Sequence, residues 1–439
     1  MKFLRFAVAA TFLLGFSSAY AFHSGGVAEC GGCHAMHKAN SVDTIVGASN
    51  ANLLNNNNVS STCLDCHSGP TLSSYHVLTF PLPAAGIPPA NRTPGGDFAW
   101  LAKTYSYFVR GSPTIYSPGG HLIVAPEYGL NNAGGLSPGG SFPAAQLGCS
   151  SCHDPHSKAR MNSLGAEVAV ATNKIIGSGS YTTLATPATG ETAISAYGLY
   201  RLLYTNNSYY SGVNYAGPVP ATIQGGAVTF ATAPLAVAPS TYNQSENTNQ
   251  VVVRYGNYAG RTMGLWCASC HASMHTNSGL LVHPIDQAMS SGGVNGYYNV
   301  YRNSGNKAGA QATAYNSLVP FAMDSASRAA LASAASNTNS ALSQVGAGPA
   351  DTVMCLSCHR AHASGFQGGI RWEYEGEFIT HIQTNTNNAT WPGTDTTPGV
   401  LQFARGKTST ETQAAMYDRP VSQFGAYQRS LCNKCHLQD

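Results

Sequence analysis

The stretch Cys355-Leu356-Ser357-Cys358-His359-Arg360-Ala361-His362 decides how the whole chain is read. Its first five residues are Cys-x-x-Cys-His, the attachment signature of c-type haem. Two thiols add across the haem vinyl groups, and the adjacent histidine is carried under the iron as an axial ligand. The pattern recurs at Cys30/Cys33/His34, Cys63/Cys66/His67, Cys149/Cys152/His153, Cys267/Cys270/His271 and Cys432/Cys435/His436. A lone Cys-x-x-Cys would also suit a redox dithiol or half a zinc site. Six copies that consume all 12 cysteines, each followed by histidine, set those readings aside. The chain reads as a cytochrome carrying six covalently attached haem c groups.

The second half of the quoted stretch concerns the sixth coordination position. Nine histidines lie outside the motifs: His23, His37, His76, His121, His156, His275, His283, His362 and His381. That supply is sufficient to close six irons. Methionine ligation would raise the potential, but the methionines stand in no regular relation to the motifs. His37, His156 and His362 follow a motif histidine by three residues and His275 follows by four. On a helical turn those positions share a face, so the second imidazole cannot reach round to its own iron. It can ligate a neighbouring haem, which would clamp two porphyrins together; the plainer role is hydrogen bonding to a propionate. Each ligating imidazole is expected to have its Nδ1-H held by a carbonyl or carboxylate.

Export is expected. Lys2 and Arg5 form a positive region, Phe6 to Phe16 a short apolar run, and Ala19-Tyr20-Ala21 a small-x-small cleavage site. Residues 1–21 thus read as a signal peptide, with the mature chain starting at Phe22. No later stretch is apolar for the ~18 residues a membrane span needs. An oxidising compartment permits disulfides, yet no cysteine remains to form one. Charged residues make up 9% of the chain, against roughly 25% in ordinary domains. Composition leaves open a polar, loop-rich surface and a surface built to meet its own copies. Without Lys2 and Arg5 the charge balance is +1, and each ferric bis-histidine haem adds about −1 through its propionates. The basic sequence pI of the bare chain is therefore no argument for nucleic acid.

Successive first cysteines lie 33, 86, 118, 88 and 77 residues apart, so no fixed-period repeat is present. The first and last motifs sit near the two ends of the mature chain. Residues 22–439 are expected to form a single elongated hexahaem domain. The 47 glycines and 23 prolines punctuate almost every stretch, which predicts mostly irregular loop with short helices and few short strands wrapped around a row of six stacked haems. Single helical turns are expected at the motifs, helices near Ser325–Ser343 and Thr410–Tyr417, and a hairpin over 220–236. The segment Ser157–Trp266 holds no histidine and ten of the 23 tyrosines, read as rings packing on loops and porphyrin edges.

Several longer stretches carry a resemblance: Phe22-His23-Ser24-Gly25-Gly26-Val27-Ala28-Glu29-Cys30, Ser74-Tyr75-His76, Gly120-His121, CSSCHDPH from Cys149, APSTYN from Ala238, CLSCHRAHASGF from Cys355 and YQRSLCNKCH from Tyr427. Together they resemble the OmcS-type hexahaem cytochromes of the bacterial outer surface, which polymerise into extracellular filaments. The resemblance implies that all six haems are bis-histidine, stacked in alternating parallel and T-shaped pairs. It implies that His37 ligates the His359 haem of the adjacent subunit in a head-to-tail homopolymer. Other distal ligands would come from His23, His76, His121, His156, His275, His283 and His362, which makes eight candidates for six positions. His381 has no counterpart and is expected to be an ordinary surface histidine. The implied function is long-range electron transfer outside the cell. Periplasmic and outer-membrane cytochromes would be donors, and metal oxides or partner cells acceptors. No nucleic acid partner, membrane span or catalytic residue is expected. The competing readings are a multihaem reductase of the nitrite or hydroxylamine type, a monomeric shuttle, and a subunit threaded through an outer-membrane barrel. A reductase needs an iron with an open position, often marked by an atypical attachment motif, and all six motifs here are regular.

Overall fold

The computed structural model describes residues 30–34, 54–73, 75–109, 111–131, 134–155, 160–161, 167–168, 197–198, 200–204, 233–238, 253–257, 261–275, 283, 285–290, 293–309, 319–325, 327–335, 348–383, 387–396 and 403–436. Among these, regular structure comes in short pieces. The helices are α1 (Cys30–Cys33), α2 (Val59–His67), α3 (Met263–Ala268), α4 (Ala272–His275), α5 (Val294–Val300), α6 (Arg328–Ala335), α7 (Cys355–Cys358), α8 (Ser409–Ala415) and α9 (Cys432–His436). Five of them carry motif cysteines, and the remaining motif begins a 3-10 turn at Cys149–Ser151. The single turn expected at each attachment site is therefore present. The helix expected over Ser325–Ser343 is seen as α6, with residues 336–347 outside the described set, and that near Thr410–Tyr417 is α8.

Local chemistry explains where these turns start. The run Asn55–Asn58 is a capping cluster. The Asn58 side chain accepts from Ser61 N at 2.8 Å at the start of α2, as an N-cap should. Asn57 and Asn58 both donate to the Glu127 carboxylate at 3.1 Å. Asn55 ties α2 to the first motif: its side chain donates to Gly32 O at 2.8 Å and its backbone N–H to Cys33 O at 2.9 Å. At α8, Thr408 and Glu411 form a reciprocal capping box. The same Glu411 is 1% exposed and takes Lys103 Nζ and Tyr105 Oη at 3.1 and 3.0 Å.

The longest strands are β1 (Tyr105–Val109) and β2 (Ser112–Tyr116), an antiparallel hairpin pairing Tyr105 with Tyr116 and Val109 with Ser112. Period-2 alternation turns Tyr105 and Tyr116 inward, where the rings stack at 5.8 Å, and leaves Phe108 and Ile115 exposed. A small sheet joins β3 (Ala236–Val237), antiparallel to β4 (Arg254–Gly256), which runs parallel to β5 (Ala322–Met323). Leu331 and Ala335 of α6 pack on it with Leu235 and Val237. Most of the hairpin expected over 220–236 lies outside the described residues, and its last residue, Ala236, pairs with Tyr255. A last pair, β6 (His381–Ile382) and β7 (Ala389–Thr390), is antiparallel.

The largest core cluster gathers Trp100, Tyr105, Tyr116, Tyr298, Tyr301, Phe366, Trp372, Trp391 and Phe424 from remote parts of the chain. Aromatic rings bury much area per residue, which suits a chain poor in long amphipathic elements. Loops are locked by buried polar groups. The fully buried Asp97 carboxylate accepts from the backbone N–H of Thr79 and Ala99, both at 2.9 Å, and from Asn91 Nδ2 at 3.0 Å. No described helix is long and apolar enough to cross a membrane.

Candidate haem-binding sites

The six motifs are neighbours in the order in which the chain makes them. The Cys63 thiol is raised far above the ordinary range, first by its hydrogen bond to Cys149 and then by burial, with Cys33 contributing through space. Cys152 is pushed up to about 12 by burial and next by Cys270. Cys267 is raised by its hydrogen bond to Cys355 and by burial. Cys358 rises to about 12 through burial and then the field of Cys435 and Cys432. Successive motifs therefore lie within electrostatic reach of one another from first to sixth, and the second touches the third and the fourth touches the fifth through their thiols.

The two cysteines of a motif do not always share an environment, and Cys66 is the clearest departure from an enclosed cofactor site. Read from the sequence as the second thiol of its haem, it is exposed, as is Cys432, whereas Cys63 one turn earlier is partly buried. Helix geometry gives the reason. The buried residues of α2 are Ser60, Ser61, Thr62 and Leu64, so the adjoining positions Asp65 and Cys66 fall on its outer face.

Three motif histidines each face a remote histidine. His153 and His362 have ring centres 6.4 Å apart, His283 and His436 6.3 Å, and His121 and His271 5.8 Å. An iron with metal–nitrogen bonds of about 2 Å on either side separates two imidazole centres by roughly 6 Å. The donor sets thus fit a six-coordinate iron between one motif histidine and one remote histidine. Backbone carbonyls hold the Nδ1 atoms: Tyr75 O for His67 at 2.9 Å, Arg201 O for His153 at 2.8 Å, Pro138 O for His271 at 2.8 Å, Gly368 O for His359 at 3.0 Å and Ala361 O for His121. This fixes the tautomer and leaves Nε2 to point at a metal. Burial lowers His121, His153 and His359, and takes His362 down to about 3 with the help of His153 and His121. These imidazoles are neutral at pH 7, the form that ligates. Among the described residues no three His, Cys, Asp or Glu side chains cluster to hold a bare metal ion.

The remaining sequence candidates separate. His76 has its Nδ1 against Thr71 O at 3.2 Å and its ring edge-on to Tyr75. His275 places Nε2, the atom a haem iron would need, 2.9 Å from Asp286 Oδ2. His23, His37 and His156 lie outside the described residues. The surface placement expected for His381 is overturned. It is 2% exposed, stacked on Phe403 with ring centres 3.7 Å apart and edged by Phe378 and Tyr427. Its Nε2 is enclosed without a hydrogen-bond partner, and burial lowers its pKa to about 4. An isolated histidine in a polar stretch gave no sign of this, because two of the rings that enclose it, Phe403 and Tyr427, come from remote points of the chain.

Sequence reading also passed over the supports of the ligands. Phe98 stacks on His362 at 4.8 Å, and Gly95 leaves room for that ring. Phe98 follows TPGGD, where paired glycines after proline signalled only a turn.

Fold and site together define a multihaem c-type cytochrome, an electron-transfer protein. No family model matches the chain. The C-type cytochrome OmcS of Geobacter sulfurreducens is 41% identical over 457 residues, covering 100% of this chain and 99% of the relative. Among solved structures, the cryo-EM structure of the OmcS nanowires from Geobacter sulfurreducens superposes with a TM-score of 0.76 at 38% identity. The outer membrane cytochrome S filament from the same organism gives 0.75 at 39%. Each comparison covers 95% of this chain and 100% of the other. The chain belongs to the OmcS family of c-type cytochromes.

Proposed function

We propose that the exported chain, cleaved after Ala21, is one elongated unit binding six haem c groups, all bis-histidine, and that its copies polymerise head to tail into filaments carrying electrons to extracellular acceptors. The observation that carries the ligation is the spacing of the three histidine pairs, near the roughly 6 Å that a metal between two imidazoles requires. On that basis His362 closes the iron on His153, His121 that on His271, and His283 that on His436. His37 closes the iron on His359 of the adjacent subunit, in keeping with the family resemblance. The irons on His34 and His67 draw on His23, His76 and His156. Cys66 keeps its thioether role from an exposed position, with Cys63 supplying the partly buried thiol of that haem. His275, engaged by Asp286, is then one of the two spare histidines.

When bound, the haems supply one-electron cycling between ferric and ferrous iron. The protein holds the imidazoles neutral and fixed, excludes water around the buried ligands, and sets the motifs in an uninterrupted sequence from first to sixth. A path with a neighbour at every step suits conduction through a polymer, with periplasmic and outer-membrane cytochromes as donors. The polymeric state follows the family, whose solved members are filaments.

Purified protein should show six thioether-linked haems by mass, wholly low-spin spectra and no carbon monoxide binding when reduced. Electron micrographs of secreted material should show filaments. One or more high-spin haems in intact protein, together with monomers only, would instead favour a reductase.

A further inference from the structure

Two of the facing histidines, His121 and His362, are placed by a single backbone knot. The segments 93–97, 119–121 and 361–370 meet there. His362 N donates to Gly95 O at 2.7 Å and Ala363 N to the same oxygen at 3.2 Å. His121 N donates to His362 O at 2.7 Å, and its ring Nδ1 bonds Ala361 O. Ser364 N donates to Gly119 O at 3.0 Å, and Gly119 N to Phe366 O at 2.9 Å. The His121 ring is thus held by the carbonyl just before His362, and the His362 main chain by His121 N and Gly95 O.

The knot closes only because four glycines stand at its crossings. Gly96 has φ +97°, left-handed, and a Cβ there would overlap Ala363 O. A Cβ on Gly120 would overlap His362 O, and one on Gly119 the backbone nitrogens of Gly368 and Gly369. A Cβ on Gly95 would lie 2.6 Å from His362 Nδ1. Three of these collisions are with backbone, which cannot swing aside as a side chain can. The loop met by Gly119 also carries Gly368 O, the acceptor for His359 Nδ1 at 3.0 Å.

We infer that Gly95, Gly96, Gly119 and Gly120 are positioning residues that fix the distal ligands of two successive haems as one unit. The haems on His153 and His271 therefore keep or lose low-spin ligation together. This rests on the ligand assignment proposed above. No other described facing pair shares such a device: His283 reaches His436 from a separate segment. Tying two axial ligands to one knot gives adjacent carriers a common geometry that thermal motion of a loop cannot disturb one at a time.

The test uses haem-loaded protein and near-infrared and electron paramagnetic resonance spectra. His121→Ala and His362→Ala should each convert one haem per protomer to high spin. Gly96→Ala, at a residue that bonds the His362 ring through its backbone but has no contact with the His121 ring, should convert two and shift both midpoint potentials. Gly296→Ala, whose Cβ meets open space, should change neither. Should Gly96→Ala yield no loaded protein, Ser364→Ala replaces it. That variant removes the Oγ bonds to Ile370 O at 2.6 Å and from Phe366 N at 3.0 Å, and should shift the same two potentials together. Single-haem conversion, or unchanged spectra and potentials, in the glycine or serine variant overturns the shared knot while the histidine variants still report their haems. Unchanged spectra in both histidine variants would remove the ligand assignment, and the knot's role with it.

Discussion

Lys407 should make stability rise with pH across the neutral range. Its ammonium is 2% exposed, donates to Tyr116 Oη at 3.0 Å and lies 4.1 Å from the Tyr116 ring centre, 4.8 Å from Tyr105 and 5.3 Å from Phe366. Burial lowers its pKa to about 7. Glu373 opposes that shift first, Arg405 adds to it, and Glu411 opposes it more weakly. A fall from 10.5 to about 7 corresponds to about 5 kcal/mol against the charged form. Lys407→Met also gives up the attraction to the desolvated rings, about 2 kcal/mol, so the net gain from that substitution is about 3 kcal/mol. Between pH 7 and 10.5 the unfolded chain binds the proton and the folded chain does not, so stability increases with pH in that window. It is lost as pH falls towards 7. Above pH 10 the sign reverses, because burial keeps Tyr105 and Tyr116 protonated in the fold after they ionise in the unfolded chain. Lys407→Met should therefore stabilise haem-loaded protein by about 3 kcal/mol at pH 6. The gain should vanish near pH 10 in thermal unfolding followed by the haem absorbance. Parallel pH profiles for wild type and Lys407→Met between pH 7 and 10 would refute the reasoning.

Glu411→Ala leaves Lys103 buried without its carboxylate and should cost about 3–5 kcal/mol in chemical unfolding; Glu411→Gln, which keeps hydrogen-bonding capacity, should cost less. His381→Ala should leave all haem spectra unchanged yet lower the melting temperature, as it empties an aromatic-lined site at about 2–4 kcal/mol, whereas His381→Phe should melt no lower than wild type. His275→Ala should keep every haem low-spin, while His283→Ala should create one high-spin haem, a contrast readable by paramagnetic resonance. His37→Ala should retain six attached haems per protomer but shift filaments to short oligomers in electron micrographs, with one altered iron on His359.

The cysteine and histidine spacing made the cofactor legible, because covalent attachment demands a local pattern that no tertiary context can alter, and the glycine and proline content made the scarcity of regular structure legible. Short-range rules also placed the helix near Thr410–Tyr417 and the turns at the motifs. What stayed hidden were pairings between remote segments. Nothing local to His362 indicates that Phe98 will stack on it, and nothing near His381 reveals Phe378, Phe403 and Tyr427 closing over it. Six identical motifs likewise do not disclose that Cys66 faces outward while Cys63 meets Cys149, since only the packing of α2 separates them. His275 has the spacing of a ligand, and only the tertiary approach of Asp286 marks it as something else.

The order of the motifs in space bears on how so irregular a chain can fold at all. Fixing each residue costs about 1–2 kcal/mol of backbone entropy, and short strands and single turns return little of it. Each motif here lies within electrostatic reach of the next one in sequence, from Cys33 and Cys63 to Cys358 and Cys435. Bringing successive motifs together therefore closes five loops of 33 to 118 residues, whose entropic cost grows only slowly with loop length. Distal ligands then pull in the segments between: His121 and His362 are 241 residues apart in the chain yet share one knot. A row of cofactors attached in chain order supplies the nearest-neighbour contacts that a hydrophobic core supplies elsewhere, and the polar, charge-poor loops need only span from one to the next.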